Sequence, residues 1–239
     1  MAHYHRSRYL PRVLACIVAT ACTSSDLMGE IKLADLEFAD PVLQTCVLDA
    51  AVRNEWRLSG QISHIECTNS QSEKIKKLDG IEALINLQSL DLSHNAISDP
   101  ILLDELRHLE RLDLDNNEIQ SVRLRRLHET LRALSLNNNK ITDVTWLATY
   151  YRLEHLSLSH NRLRLIPAIV GLDSLRSLDL SYNDIVDVTP LKRLTHVETI
   201  NVKNSPLDCS ALEESVSILP QGVDIFTDCE LSNKTEPRD

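Results

Sequence analysis

Leu87-Gln88-Ser89-Leu90-Asp91-Leu92-Ser93-His94-Asn95-Ala96-Ile97 decides the fold, because its skeleton returns every 22 residues. The frame L-x-x-L-x-L-x-x-N-x-[IL] recurs with its asparagine at Asn95, Asn117, Asn139, Asn161 and Asn183. A sixth, degraded copy reads Val197, Ile200, Val202, Ser205 and Leu207, with serine where asparagine should stand. No insertion breaks the register, so the chain is an array of one small unit. Within a unit, Leu90 and Leu92 lie two apart and face the same side of a strand, while Asp91 faces the other. One unit cannot hide its leucines alone; stacking the units makes a continuous core and pairs each strand with the next. Twenty-two residues leave no room for a full return helix, so the segments between strands are expected to be extended turns and short 3₁₀ pieces. The predicted fold is therefore α/β: a curved parallel sheet with short 3₁₀ turns on its convex side. Each asparagine amide both donates and accepts, and can satisfy backbone groups freed at the bend; losing one should cost roughly 1–3 kcal/mol.

These repeats resemble the leucine-rich repeat family over about residues 62–207. The short unit, with turns such as Ile141-Thr142-Asp143-Val144-Thr145, is similar to the class in internalin-type bacterial surface proteins. The stretch from Leu163 through Ile166-Pro167 to Leu172 leans toward a longer variety. The resemblance implies a rigid scaffold without catalytic machinery. It does not imply a partner, since the family binds many on one frame.

An open solenoid needs caps, and four cysteines sit where caps should be. Cys46 and Cys67 precede the first intact repeat; Cys209 and Cys229 follow the last. Asp40-Pro41 suits a helix N-cap and first turn, and Leu43, Cys46, Val47 and Ala50 then recur at helical spacing. Ile62, Ile65 and Cys67 echo the strand frame one unit early. The expected N-terminal cap is a helix plus a strand closed by Cys46–Cys67. At the far end, Ser205-Pro206-Leu207-Asp208-Cys209 resembles the opening of a C-terminal leucine-rich-repeat cap. Ser210 and Glu213 read as a capping box for a short helix, and Val223 to Phe226 as a last strand before Cys229. The two ends lie far apart, so only local pairing is geometrically reasonable, each bridge contributing on the order of 3 kcal/mol. The alternative is four free thiols in a cytosolic protein.

The N-terminus differs from the rest. Arg6, Arg8 and Arg12 precede an apolar run from Val13 to Ala21, too short to span a membrane as a helix. Ala19-Thr20-Ala21-Cys22 resembles a bacterial lipobox, which implies cleavage before Cys22, lipid on that cysteine and, by sorting rules, the outer membrane of a cell envelope. An ordinary cleaved signal is the alternative. The expected organisation is a signal peptide over 1–21, a tether over 22–37, an N-terminal cap over 38–70, repeats over 71–207, a C-terminal cap over 208–229 and a loose tail over 230–239.

Formal charge is −10, and loss of the three signal arginines takes it to −13. So acidic a chain is a poor candidate for nucleic acid, and its membrane contact would rest on the lipid alone. The outward strand positions form columns on the concave face: Asp91, Asp113, Ser135, Ser157, Asp179 and Asn201; then Ser93, Asp115, Asn137, Ser159, Ser181 and Lys203; then His94, Asn116, Asn138, His160, Tyr182 and Asn204. Asp91, Asp113 and Asp115 bring like charges together, which sheets avoid, so this cluster is a candidate contact for a basic partner or cation. Asp179, His155 and Tyr182 complete the candidate partner-binding set, with Trp146, Tyr150 and Tyr151 as aromatics on the turns. A solvated polar surface is the simpler alternative.

No cofactor, metal or catalytic motif emerges. Asp113-x-Asp115-x-Asn117 carries Glu118 and Leu124 where a calcium loop needs glycine and glutamate. His155 and His160 lack a metal-binding partner in phase. His155, Ser157 and Asp179 would lie on a flat surface without oxyanion donors. The expected function is a monomeric, lipid-anchored module that binds a protein or peptide on its concave sheet. The alternatives are a structural envelope protein without a ligand, or a cytosolic phosphatase-type regulatory subunit if the N-terminus stays uncleaved.

Overall fold

The computed structural model describes residues 31–68, 73–166, 169 and 171–231. The signal stretch 1–21 and Cys22 lie outside the described residues, as does the tail from 232.

Eight three-residue strands form one parallel sheet in chain order. They are β1 (His64–Glu66), β2 (Ser89–Asp91), β3 (Arg111–Asp113), β4 (Ala133–Ser135), β5 (His155–Ser157), β6 (Ser177–Asp179), β7 (Thr199–Asn201) and β8 (Asp224–Phe226). Register follows the sequence period: Leu90 pairs with Leu112, then Leu134, Leu156, Leu178 and Ile200. The central residue is buried in β1 to β7 and half-buried in β8, and its neighbours turn outward. The two cap strands extend the same row with Ile65 and Ile225.

Between strands run the short 3₁₀ turns that a 22-residue unit allows, at Ile101–Glu105, Leu127–Glu129, Thr145–Thr149 and Thr189–Arg193 among others. Three of them begin beside an aspartate whose Oδ1 accepts a backbone N–H two residues on: Asp99 from Ile101, Asp143 from Thr145 and Asp187 from Thr189. The bonds from Thr189 hold the Asp187 carboxyl below its ordinary pKa.

The asparagines act as expected, and each spans two coils. Asn117 Oδ1 accepts the N–H of Ile97, one coil back. Its Nδ2 donates to the carbonyls of Leu92, Leu114 and Asp115. The same set repeats at Asn95, Asn139, Asn161 and Asn183. At the sixth copy the side chain is too short. Ser205 Oγ is buried and has no hydrogen-bond partner.

Both caps close as the sequence suggests. Helix α1 (Pro41–Arg53) starts at Asp40, and Cys46–Cys67 bridges it to the end of β1. Burial alone would raise the Asp40 pKa. N–H donors from Lys76, Lys77, Val42 and Leu43 outweigh that, hold the carboxyl below its usual value and tie the cap to the first repeat. The cap begins before residue 38, inside the stretch assigned to the tether. Leu33 and Leu36 are buried, and Lys32 bridges to Leu58. Their spacing shows no period because they fill an end rather than a repeat.

Helix α2 (Cys209–Ile218) is tied to the chain after β8 by Cys209–Cys229. Its N-cap is Asp208, whose Oδ1 accepts from Ser210 and Ala211, not the expected Ser210 of a capping box. The helix starts two residues earlier than that box requires, so Ser210 lies inside the first turn. Tyr150, expected as a surface aromatic, is fully buried in a position held elsewhere by leucine, and its hydroxyl donates to the Leu124 carbonyl. Burial pushes that hydroxyl's pKa up. Trp146 is only partly buried; the neighbouring Leu147 takes the core position.

Ser205→Asn should restore the missing coil-to-coil bonds and raise stability by about 1 kcal/mol in denaturant titration. A decrease would mean that the end of the array cannot accept the ladder.

Candidate interaction surface

The sheet's outward positions do form columns. In strict register stand Glu66, Asp91, Asp113, Ser135, Ser157, Asp179, Asn201 and Phe226. Sequence reading began this column at Asp91 and ended it at Asn201. Glu66 and Phe226 belong to cap strands whose offset departs from 22, so the period does not reach them. The result is a graded face, with three carboxylates at one end and Phe226, 49% exposed, at the other.

Asp91 and Asp113 are paired directly across β2 and β3. Each turns one oxygen to the N–H two residues on, Ser93 and Asp115 respectively. Asp113 is the most perturbed carboxyl of the face, with its pKa raised to about 6. Burial is the main cause; the charges of Asp115 and Asp91 add to it, while the Asp115 N–H and His94 oppose it.

Asp115 does not stand open beside them. Its carboxylate accepts from Ser135 Oγ at 2.6 Å and from Asn137 N and Nδ2 at 2.7 and 2.9 Å. Asn137 Oδ1 in turn accepts from Ser157 Oγ and Ser159 N. The second column is thus a hydrogen-bonded chain from Asp115 through Asn137 to Ser159, and its Ser93, Ser159 and Ser181 are buried. Ser157 is committed to Asn137. Asp179 accepts from Ser181 N and Oγ, three strands from the Asp113 group. His155 is exposed on β5, between Ala133 and Ser177. The structure therefore joins Asp91, Asp113 and Asp115 but keeps His155, Asp179 and Tyr182 apart from them. Beside the columns, Arg132–Glu154 and Arg176–Glu198 form exposed ion pairs at 2.5 Å, each worth at most about 1 kcal/mol. Among the described residues no three His, Cys, Asp or Glu side chains group to hold a metal ion. No described helix is long and apolar enough to cross a membrane.

The third column has a property that the period alone does not reveal. His94, Asn116, Asn138, His160, Tyr182 and Asn204 all have positive φ, between 53° and 61°. The chain leaves each strand through a left-handed residue whose N–H bonds to the next coil, as His160 does to Ser181 O. Asparagine and histidine tolerate that conformation well; a tyrosine ring tolerates it poorly. His160 and Tyr182 are nonetheless neighbours there, stacked with ring centroids 4.0 Å apart and planes 20° apart. Tyr182 remains 49% exposed. The recurring asparagine just after each strand was a sequence cue to a bend, but not to its handedness.

The Asp113 carboxyl binds its proton more tightly folded than unfolded. Its contribution to stability is therefore present below about pH 4 and is lost as pH rises through about 6. Asp113→Asn keeps an oxygen for the Asp115 N–H and should stabilise the protein at pH 7, by on the order of 1 kcal/mol after solvent screening. The gain should vanish below pH 4; thermal unfolding of both forms across pH measures it.

Two family profiles match the chain. One, described as "Leucine rich repeat", covers residues 129–185, and the other, "Leucine Rich repeats (2 copies)", covers 85–126. No curated protein matches the sequence. Among solved structures, an internalin from Listeria monocytogenes superposes with a TM-score of 0.71 at 24% identity, over 89% of this chain and 62% of its own length. Internalin C2 of the same organism gives 0.57 at 22%, over 83% and 97%. A leucine-rich-repeat protein of Leptospira interrogans gives 0.60 at 21%, over 75% and 57%. The chain thus spans less than two thirds of the first and third of these proteins. At such identities the likeness concerns fold. Repeat, register and neighbours agree on the fold: the chain is a leucine-rich-repeat solenoid, a parallel sheet with disulfide-closed caps, and it shares this fold with the internalins.

Proposed function

We propose that this chain is a non-catalytic interaction module that holds a protein or peptide partner against its concave sheet. The observation that carries the reading is the pair His160 and Tyr182. Left-handed backbone costs a tyrosine about 1 kcal/mol more than it costs asparagine, which the chain uses at three of the six equivalent positions. A tyrosine kept against that cost, half-exposed and stacked on His160, indicates that the ring itself is retained for contact. A half-exposed tyrosine on a rigid sheet is a good anchor, since little side-chain freedom is lost on contact. The acidic end at Glu66, Asp91 and Asp113 favours a partner with a positively charged stretch. Scaffold rigidity is the mechanism: the partner meets a surface already formed.

The double variant His160→Asn/Tyr182→Asn tests this. It relieves the backbone and loses the ring contact, so its stability should stay within about 1 kcal/mol of the parent. Partner recovered by the parent protein from native cell-envelope extract should be lost with the variant. Equal recovery by the two would remove the concave face from the proposal.

The location we propose is outside the cytosol, with the mature chain anchored through lipid on Cys22. Two cysteine pairs at bonding distance support an oxidising compartment. Intact mass of the protein from its native host should show loss of residues 1–21 and added acyl mass at Cys22. An intact Met1 with four free thiols would sink this location.

A further inference from the structure

On the convex side, the second repeat, the one whose asparagine is Asn117, lacks the turn that follows Asn95, Asn139 and Asn183. Asp99, Asp143 and Asp187 start 3₁₀ turns four residues after their own asparagines. The equivalent residue here is Ser121, which caps nothing. The 3₁₀ turn is displaced to Leu127–Glu129, and residues 121–125 take no regular turn. Their burial alternates instead: Ser121, Arg123 and Arg125 are exposed, while Val122 and Leu124 are buried. That period of two belongs to a strand. Yet no strand lies beside it. In the neighbouring coils Leu103 N bonds to Pro100 O and Leu147 N to Val144 O, whereas no N–H of residues 121–125 donates to protein among the described bonds.

One side of the segment is occupied: the Tyr150 hydroxyl, from the following coil, donates to Leu124 O. The other side borders a shallow cleft of about 300 Å³ lined by Ser98, Asp99, Ile101, Gln120, Ser121 and Arg123. Ile101 is 41% exposed in it. Asp99 is turned to its own coil, accepting from Ile101 N. Arg126 is paired with Glu105 at 2.6 Å, but Arg123 and Arg125 form no ion pair among the described residues. In a chain of charge −10, this leaves two free guanidinium groups two residues apart on one edge.

We propose that residues 120–125 form a second docking edge, which takes an acidic, extended peptide segment as an added strand. The partner's backbone carbonyls would accept from the free N–H groups of the segment and its N–H groups would donate to the Ser121 and Arg123 carbonyls, while its carboxylates would pair with Arg123 and Arg125 and one apolar side chain would rest on Ile101. A two-residue arginine spacing matches carboxylates at alternate positions of a strand, about 6.6 Å apart. The site faces away from the concave sheet and does not depend on that reading.

A fluorescent hexapeptide of alternating glutamate and valine is the probe, with alternating lysine and valine as its counterpart. The acidic peptide should bind the full chain at low ionic strength, and the basic one at least tenfold more weakly. Arg123→Glu/Arg125→Glu, checked for an unchanged circular dichroism spectrum and Tm, should weaken binding by tenfold or more. N-methylation of alternate peptide amides should do the same. His160→Asn/Tyr182→Asn should leave this affinity intact, which separates the convex edge from the concave face. Equal binding of both peptides, or no loss with the arginine variant, would overturn the site; full affinity of the methylated peptide would overturn strand addition.

Discussion

One buried amide, repeated five times, holds the coils of this protein to one another. Each asparagine takes a backbone N–H from the coil before it and gives its own protons to carbonyls of both coils. Leucines supply most of the favourable free energy, but they are interchangeable in direction; apolar contact alone would let coils slide. The amide fixes the turn at a single place, and the strand that precedes it then has no freedom of register. Strand pairing, the row of buried leucines and the columns on the open face all follow from that one constraint. Where the amide is missing, at Ser205, the array ends and a disulfide-closed cap takes over.

The open face shows how a strict repeat constrains chemistry. Every outward residue faces its own counterparts above and below, so a charge in one repeat is judged by its neighbours in the next. Two equivalent aspartates in adjacent strands share one environment, and burial together with mutual repulsion raises the affinity of Asp113 for a proton. In the next column the problem is solved internally, since Asp115 is surrounded by donors from Ser135 and Asn137. The two carboxylates lie two residues apart on one coil, yet one faces a like charge across the sheet while the other is held by hydrogen-bond donors. A site reading based on charge alone would merge them.

Fold and register were legible because the repeat states them five times. Helix α1 was legible through Asp40-Pro41, and both cysteine pairings through their places at the two ends. What the sequence concealed falls into two kinds. Some residues act outside the period: Leu33 and Leu36 pack a terminus, where no repeat announces them, and Glu66 and Phe226 sit on cap strands with another offset. Others depend on backbone geometry that residue type does not declare. Tyr182 looks like any exposed tyrosine until its positive φ is known, and Tyr150 looks like surface until its hydroxyl is found on Leu124. The asparagines that hold the position of Tyr182 in other coils hinted at a left-handed bend; the tyrosine ring itself argues against one.

The aspartates that start the convex turns, Asp99, Asp143 and Asp187, are 44 residues apart, and the coils that alternate with theirs carry Lys77, Ser121 and Leu165 at the equivalent positions. The two faces of the coil therefore count differently: the sheet repeats with every turn, the back with every second one. A chain lengthened by one coil would keep a seamless front but place two capped turns, or two uncapped ones, side by side behind. Growth by coil pairs leaves both faces in step, so the natural unit of this solenoid's length is the pair.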